Sequence, residues 1–317
     1  MVRPLILLCA TAAAQAPLFR VTAPEVFIPV TVRDAKGQLA DGLTAADFEI
    51  YDGGVRRTPR VTTPDSSAIP LAVVFAVQAN STGAAALLKI NKAGSLVEPL
   101  ITGERGAGAV VAYSGRVYTA TPFTRDGGAL RNAFRALKPD SGKTARMLDA
   151  VSLGIEMLSA RPAEERRVLI VMGESRDRGS EIKLAAALEQ AQRAAVTIYA
   201  FTYSAYVTPF TAKASELPPP GPGPDLIGAL VEVARLGAED AAGALASFTG
   251  GRKQGFATLK GLEQALTRGG EELHGQYLVT CAASSGPGYH RLEVRLPRHP
   301  SFTVQARPGY WVEPERQ

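Results

Sequence analysis

PLAVVFAVQANST, Pro70 to Thr82, sets the architecture of this chain. Leu71 to Val77 is apolar at every position and then gives way to polar residues. A strand with one wet face alternates apolar and polar side chains, whereas one covered on both faces reads as an unbroken apolar run, as in the middle of a parallel sheet. Val168 to Met172 is a second such run, and Val196 to Phe201 reads as a further strand. Between them the spacing turns helical: over Ala84 to Leu100, Leu130 to Leu137, Met147 to Leu158 and Leu184 to Ala195. Ala109 to Tyr113 and Val117 to Thr121 read as two strands around the turn Ser114-Gly115. Strands alternating with helices predict a mostly parallel sheet with helices on both faces. Pro218 to Pro224 is too rich in proline for a helix or inner strand and is expected as a surface loop, with Asp225 capping a helix to about Ala238. Helical pattern returns over Ala241 to Phe248 and Leu259 to Leu273.

Outward from this core both ends of the chain turn to β. Val26 to Val32, Phe48 to Tyr51 and Val55 to Thr62 precede it, with turns at Asp34 to Gly37 and Asp52 to Gly54. Gln276 to Ala282, His290 to Leu296 and Phe302 to Ala306 follow it. Neither set has enough strands to bury a core alone. The expectation is that they pack together as a small β-sandwich with the α/β domain inserted between them. The boundaries so placed are 17–67 and 276–317 for the two β-units and 68–275 for the α/β domain.

The first sixteen residues carry a different pattern. Arg3, the apolar stretch Pro4 to Ala10, and Ala14-Gln15-Ala16 match the charged, apolar and cleavage regions of a secretory signal peptide. Residues 1–16 are therefore expected to be removed, and the protein to be periplasmic or secreted. Leu8 precedes Cys9 where lipidation would want a small residue. Cys281 is then the one mature cysteine, which leaves no internal disulfide. No segment reaches the roughly 20 apolar residues of a membrane-spanning helix.

The remaining composition argues mostly by exclusion. A net charge of +5 over 317 residues comes from scattered lysines and arginines, so no nucleic-acid partner is expected. The three histidines, His274, His290 and His299, have no zinc spacing and no nucleophile near them in the α/β region. Gly103 to Gly108 precedes a strand where a phosphate cradle would follow one. No catalytic residues are assigned.

VTVRDAKGQLADGLTAADFEIYDGG, Val30 to Gly54, resembles the N-terminal signature of the von Willebrand factor A-related proteins of the Acidobacteria type. Pro70 to Val77 lies where that family's domain has its first strand, and Gln276 to Cys281 with Phe302 to Trp311 resembles its C-terminus. The resemblance implies a Rossmann-like A domain flanked by β-strands. It also implies a divalent-cation site, usually for Mg²⁺, at the carboxyl edge of the sheet, with the motif D-x-S-x-S after the first strand. Here Gln78 stands at the aspartate position, with Asn80 and Thr82 at the two serine positions. Thr144 resembles the loop threonine, with Lys143 beside it. Glu174 replaces a second aspartate, and Asp177 matches an acidic position just outside the site. A hard cation wants carboxylate oxygens, and the anchoring one is missing.

Three readings follow from these residues. Gln78, Asn80 and Thr82 cap the next helix and satisfy loop backbone groups; the same face docks a partner without a metal; or Asn80, Thr82, Thr144 and Glu174 hold a cation. The preferred function is a non-enzymatic, exported protein-interaction module with a degenerate metal site and no cofactor. Its candidate contacts are Gln78, Asn80, Thr82, Thr144, Glu174, Asp177, Tyr203 and Tyr206. Tyr203 and Tyr206 either anchor that partner or pack under the long loop. The alternatives are a cation-dependent adhesion or sensor domain that uses Glu174, and an envelope scaffold. The sequence does not name the partner or the oligomeric state.

Overall fold

The computed structural model describes residues 25–64, 70–98, 106–162, 164–203, 240–284 and 286–312. The expected signal peptide, the Pro-rich loop with Tyr206, and the helix after Asp225 lie outside them. The central sheet has six strands: β5 (Leu71–Gln78), β6 (Ala107–Tyr113), β7 (Val117–Thr124), β8 (Arg166–Gly173), β9 (Thr197–Thr202) and β10 (Lys253–Gly255). Their order is β10-β9-β8-β5-β6-β7. All neighbours run parallel except β6 and β7.

Alternation along the strands divides their side chains between two cores. Val73, Phe75 and Val77 of β5 face one way, with Ile170, Met172, Tyr199 and Phe201. They meet α1 (Ala84–Ala93), α2 (Gly127–Ala136) and α6 (Leu259–His274) through Leu87, Ile90, Leu130, Phe134, Leu262 and Leu266. Ala72, Val74 and Ala76 face the other way, against α3 (Met147–Ser159), α4 (Leu184–Arg193) and the helix α5 over 240–249. Every residue of β5 is buried, as its apolar run requires.

Two glycines let these layers close. A Cβ on Gly154 of α3 would lie 2.6 Å from Leu169 Cδ1 and 3.2 Å from Val74 Cγ1, so the helix sits against the sheet at a distance only glycine allows. Overpacking of this kind costs about 1–3 kcal/mol, and Gly154→Ala should lower the melting temperature by several degrees in a calorimetric scan. Gly94 faces Phe134 in the same way, with Phe134 Cβ 2.7 Å from where its own Cβ would be. The helical pattern read over 84–100 is carried by α1 to Ala93 and then tightens into a 3₁₀ turn over Gly94–Leu96, the described residues staying helical to 98.

The terminal strands form two four-stranded antiparallel sheets. One has the order β13-β1-β11-β4 and the other β14-β12-β2-β3. Their members are β1 (Glu25–Arg33), β2 (Glu49–Asp52), β3 (Val55–Arg57), β4 (Arg60–Thr62), β11 (Tyr277–Ala282), β12 (Gly288–Arg295), β13 (Thr303–Gln305) and β14 (Gly309–Val312). Strands from both chain ends pair in each sheet, for example Val30 with Tyr277 and Ile50 with Val294. Val26, Ile28, Val30 and Val32 share one core with Ile50, Val279, Leu292 and Tyr310. The strand expected over Val55 to Thr62 is two strands in different sheets. Pro59, which has no N–H to donate, sits where the chain changes sheet.

Cys281 is a free thiol, 3% exposed on that core. Burial pushes its pKa up and the nearby Asp52 carboxylate adds to the shift. Only the thiolate is nucleophilic, so the folded protein should resist alkylation at mildly alkaline pH and react quickly once unfolded. Fast labelling without unfolding, followed by mass spectrometry, would contradict the burial. Among the described residues no helix is long and apolar enough to cross a membrane.

Candidate functional site

Strand order locates the crevice. From β5 the chain passes through α1 to β6 on one side, and from β8 through α4 to β9 on the other. The carboxyl ends of β5 and β8 therefore flank the topological switch point, where open parallel sheets bind ligands. Gln78 ends β5 and Glu174 follows β8, and the two are joined by side chains. Gln78 Oε1 accepts from the Glu174 backbone N–H at 2.7 Å, and Gln78 Nε2 donates to Glu174 Oε2 at 3.2 Å.

That backbone N–H fixes which way the Gln78 amide points. Its NH₂ is consequently aimed into the crevice and also donates to Asn80 Oδ1 at 2.9 Å. Asn80 is completely buried and is oriented by its own partners. Its Oδ1 accepts from Gly83 N–H and from Thr82 Oγ1, both at 3.0 Å, which caps the 3₁₀ turn Ser81–Gly83 ahead of α1. Its Nδ2 donates to the backbone oxygens of Lys143 and Thr144, both at 3.1 Å, and so ties the 142–144 loop to the end of β5. Ser81 Oγ reinforces this by donating to the Gly142 oxygen at 2.8 Å. A two-way backbone pairing of Ala145 with Arg178, both bonds 2.9 Å, joins the same loop to the one after β8.

The carboxylates of this region are turned inward. Glu174 is 5% exposed and meets the Arg178 guanidinium at 3.3 Å through Oε1. Asp177 accepts from the Leu148 N–H at the start of α3 at 3.1 Å and from Ser180 Oγ at 2.6 Å, so it caps a helix. Asp149 accepts from the N–H groups of Glu181 and Ile182, both at 3.1 Å. Thr144, Lys143, Gly142 and Ser81 form the exposed rim.

Tyr203 is 9% exposed, with its ring edge-on to Phe256 at 5.8 Å. Of the two sequence readings of this residue, as a solvent-facing anchor or as a packing residue, the geometry favours packing. Its hydroxyl points at Gly83, whose missing Cβ makes room for it. Tyr113, paired in register with Gln78, puts a second buried hydroxyl beside Gly173. Burial drives both phenols well above their ordinary pKa, and the Glu174 carboxylate adds to both, so both remain protonated. The sequence reading missed Tyr113; its signal is a polar tip at the end of a buried apolar strand. Among the described residues no cluster of three or more His, Cys, Asp or Glu side chains could hold a metal ion.

Residues 90–214 match the family model of the von Willebrand factor type A domain. No curated protein matches the chain. Among solved structures, a von Willebrand factor type A protein from Catenulispora acidiphila is 9% identical over 94% of this chain and 76% of its own, with a TM-score of 0.48. The conserved hypothetical protein BatB from Bacteroides thetaiotaomicron is 14% identical over 62% of this chain and 96% of its own, with a TM-score of 0.45. The vWF domain of the type V pili tip protein Mfa5 from Porphyromonas gingivalis is 21% identical over 37% and 40%, with a TM-score of 0.31.

Proposed function

Because the chain carries a von Willebrand factor type A domain, we propose that it is a non-enzymatic protein-interaction module that docks its partner at the carboxyl edge of the central sheet without a divalent cation. The observation that carries this reading is the orientation of the Gln78 amide. Its oxygen is engaged by the Glu174 N–H, so it turns two N–H donors toward Asn80 and Glu174. A hard cation needs oxygen lone pairs there, with at least one carboxylate available to it. The Asn80 oxygen already accepts three hydrogen bonds, and the Glu174 carboxylate is held by Gln78 and Arg178. The donor set does not fit Mg²⁺.

This reading moves the contact surface outward. Gln78, Asn80 and Asp177 become the frame, and Ser81, Thr82, Lys143 and Thr144 the rim that a partner touches. The Arg3, Pro4 to Ala10 and Ala14 to Ala16 pattern supports export to the periplasm or beyond.

Calorimetric titration of the purified protein with Mg²⁺ and with Mn²⁺ should give no saturable binding. Micromolar affinity that disappears in Glu174→Ala would replace this reading with the cation-dependent one. Docking itself is tested by placing a photo-crosslinking side chain at Thr144 and, as a control, at Val55 in the terminal β-sheets. Adducts should form from Thr144; adducts from Val55 alone would move the interface off the carboxyl edge.

A further inference from the structure

The amino edge of the central sheet, at the other end from this crevice, holds a cation without a counterion. Gly250 to Arg252 lead into β10 there and meet the turn between β13 and β14. A Cβ on Gly250 would fall 2.7 Å from the Arg307 backbone nitrogen, so the two turns touch. Gln305 braces them by donating to the Gly251 oxygen and accepting from Arg252 Nη2. Pro308 is held from the other side, its oxygen taking the Leu292 N–H at 2.8 Å. Arg307 stands half-buried in this frame, with its Nε enclosed and without an acceptor. Among the described residues its guanidinium makes no hydrogen bond and no ion pair. The Tyr310 ring lies 6.0 Å from it, at the outer limit of a cation–π contact, and brings no countercharge.

The buried carboxylates on adjoining elements are committed elsewhere. Glu272 is shared by Arg33 and Arg252, and Asp52 accepts from Ser284 and Tyr310. Burial lowers the pKa of Arg307 to about 10, which leaves the guanidinium charged at neutral pH. A charge taken out of water destabilises the fold unless a partner of opposite sign meets it. The positive field also reaches Tyr289 of β12: burial raises its phenol to about 12, against the pull of Arg307 and then Arg291.

We infer that this junction binds a small oxyanion, a carboxylate or a phosphate, on the Arg307 guanidinium with Tyr289 flanking it. The planar fork of a guanidinium matches the paired oxygens of either group. Tyr289 lies over Gly309, two residues along from Arg307, where a Cβ would be 2.3 Å from its hydroxyl. Trp311 is its partner across the strands, with the two rings 6.3 Å apart. The single tryptophan of the chain therefore stands next to the site.

The test titrates the whole protein with sodium acetate and with sodium phosphate, against sodium chloride at equal ionic strength. Two signals are followed: the Arg307 Nε–H in an NMR spectrum, assigned by its absence from Arg307→Met, and the Trp311 fluorescence. Acetate, phosphate or both should move the two signals saturably, and the pattern identifies the group. At ten times the dissociation constant the melting temperature should rise by about 2 °C over the chloride control. In Arg307→Met the affinity, read from the fluorescence, should fall at least about tenfold. That variant should melt no lower than the parent in chloride, since it removes an unpaired charge and keeps much of the side chain's bulk. Equal responses to chloride, no response to either oxyanion, or an unchanged affinity in Arg307→Met would overturn the inference. So would a variant that melts well below the parent in chloride, because Arg307 would then be paired within the fold.

Discussion

Glu272→Ala should lower the unfolding free energy by about 3 kcal/mol, close to 5 °C in melting temperature for a chain of this size. The carboxylate lies on α6 and is fully buried. Arg33 of β1 reaches it at 2.6 Å and Arg252, just before β10, at 3.0 Å. Tyr199 Oη donates to it at 3.2 Å, since burial and this same carboxylate hold that phenol well above its ordinary pKa. Removing one member of a buried charge group leaves the others desolvated and unpaired, a loss of roughly 3–5 kcal/mol when every partner is buried. The two arginines are 22% and 37% exposed, so water offsets part of the loss and the lower end applies. The position also matters beyond its energy. Glu272 joins a strand of the terminal sheets to the central sheet, and Gln276 adds to the joint by donating to Thr31 and Tyr199 at 3.0 and 3.1 Å. A double-mutant cycle with Arg33→Ala should show a coupling of about 1 kcal/mol or more. Additive effects, or a Glu272→Ala melt within a degree or two of the parent, would mean that the group is not a structural joint.

Asn80→Ala should be nearly as damaging, again by about 3 kcal/mol, through a different route. Its five hydrogen bonds cap the turn before α1, orient Gln78 and hold the 142–144 loop. The lost cap accounts for about 1 kcal/mol. The freed Gln78 N–H then remains unsatisfied, at about 1–3 kcal/mol before relaxation, while the Gly83 N–H keeps the backbone oxygen of residue 80 at 3.2 Å. The carbonyls of the exposed residues Lys143 and Thr144 can turn to water, which limits the total. Hydrogen exchange should accelerate over 81–84 and 142–145 while β5 itself stays protected. Uniform acceleration across the sheet would show that Asn80 supports the whole core and not the rim.

The inner strands of the central sheet were readable because they are covered on both faces, which leaves unbroken apolar runs such as 71–77 and 168–172. β10 was not readable. Lys253-Gln254-Gly255 is polar and three residues long, and it joins β9 through backbone pairing that leaves no side-chain pattern. The division of Val55 to Thr62 between two sheets depends on where the partner strands β2 and β11 lie, which no local pattern records. At the candidate site, the sequence showed an amide where its resemblance implied a carboxylate. It did not show that the Glu174 backbone would set that amide's orientation, or that Arg178 would fold back onto Glu174. The fate of Tyr203 was decided by Phe256, more than fifty positions later, and by the space left at Gly83.

The interleaving of first and last strands bears on when this chain can fold. Val30 has its ladder partner in Tyr277, with the whole central sheet between them in sequence. During synthesis β1 and β4 emerge with nothing to pair against, and β2 and β3 with only each other, until β11 and β12 have followed the central sheet off the ribosome. Contacts this remote in sequence form slowly, because a long loop must close before they stabilise anything. The six-stranded sheet can consolidate first, as its pairings are nearer in sequence. The joint at Glu272 and the two terminal sheets then close as the final event, so a chain cut short before β11 would keep its central sheet while its leading strands stay exposed and prone to aggregate.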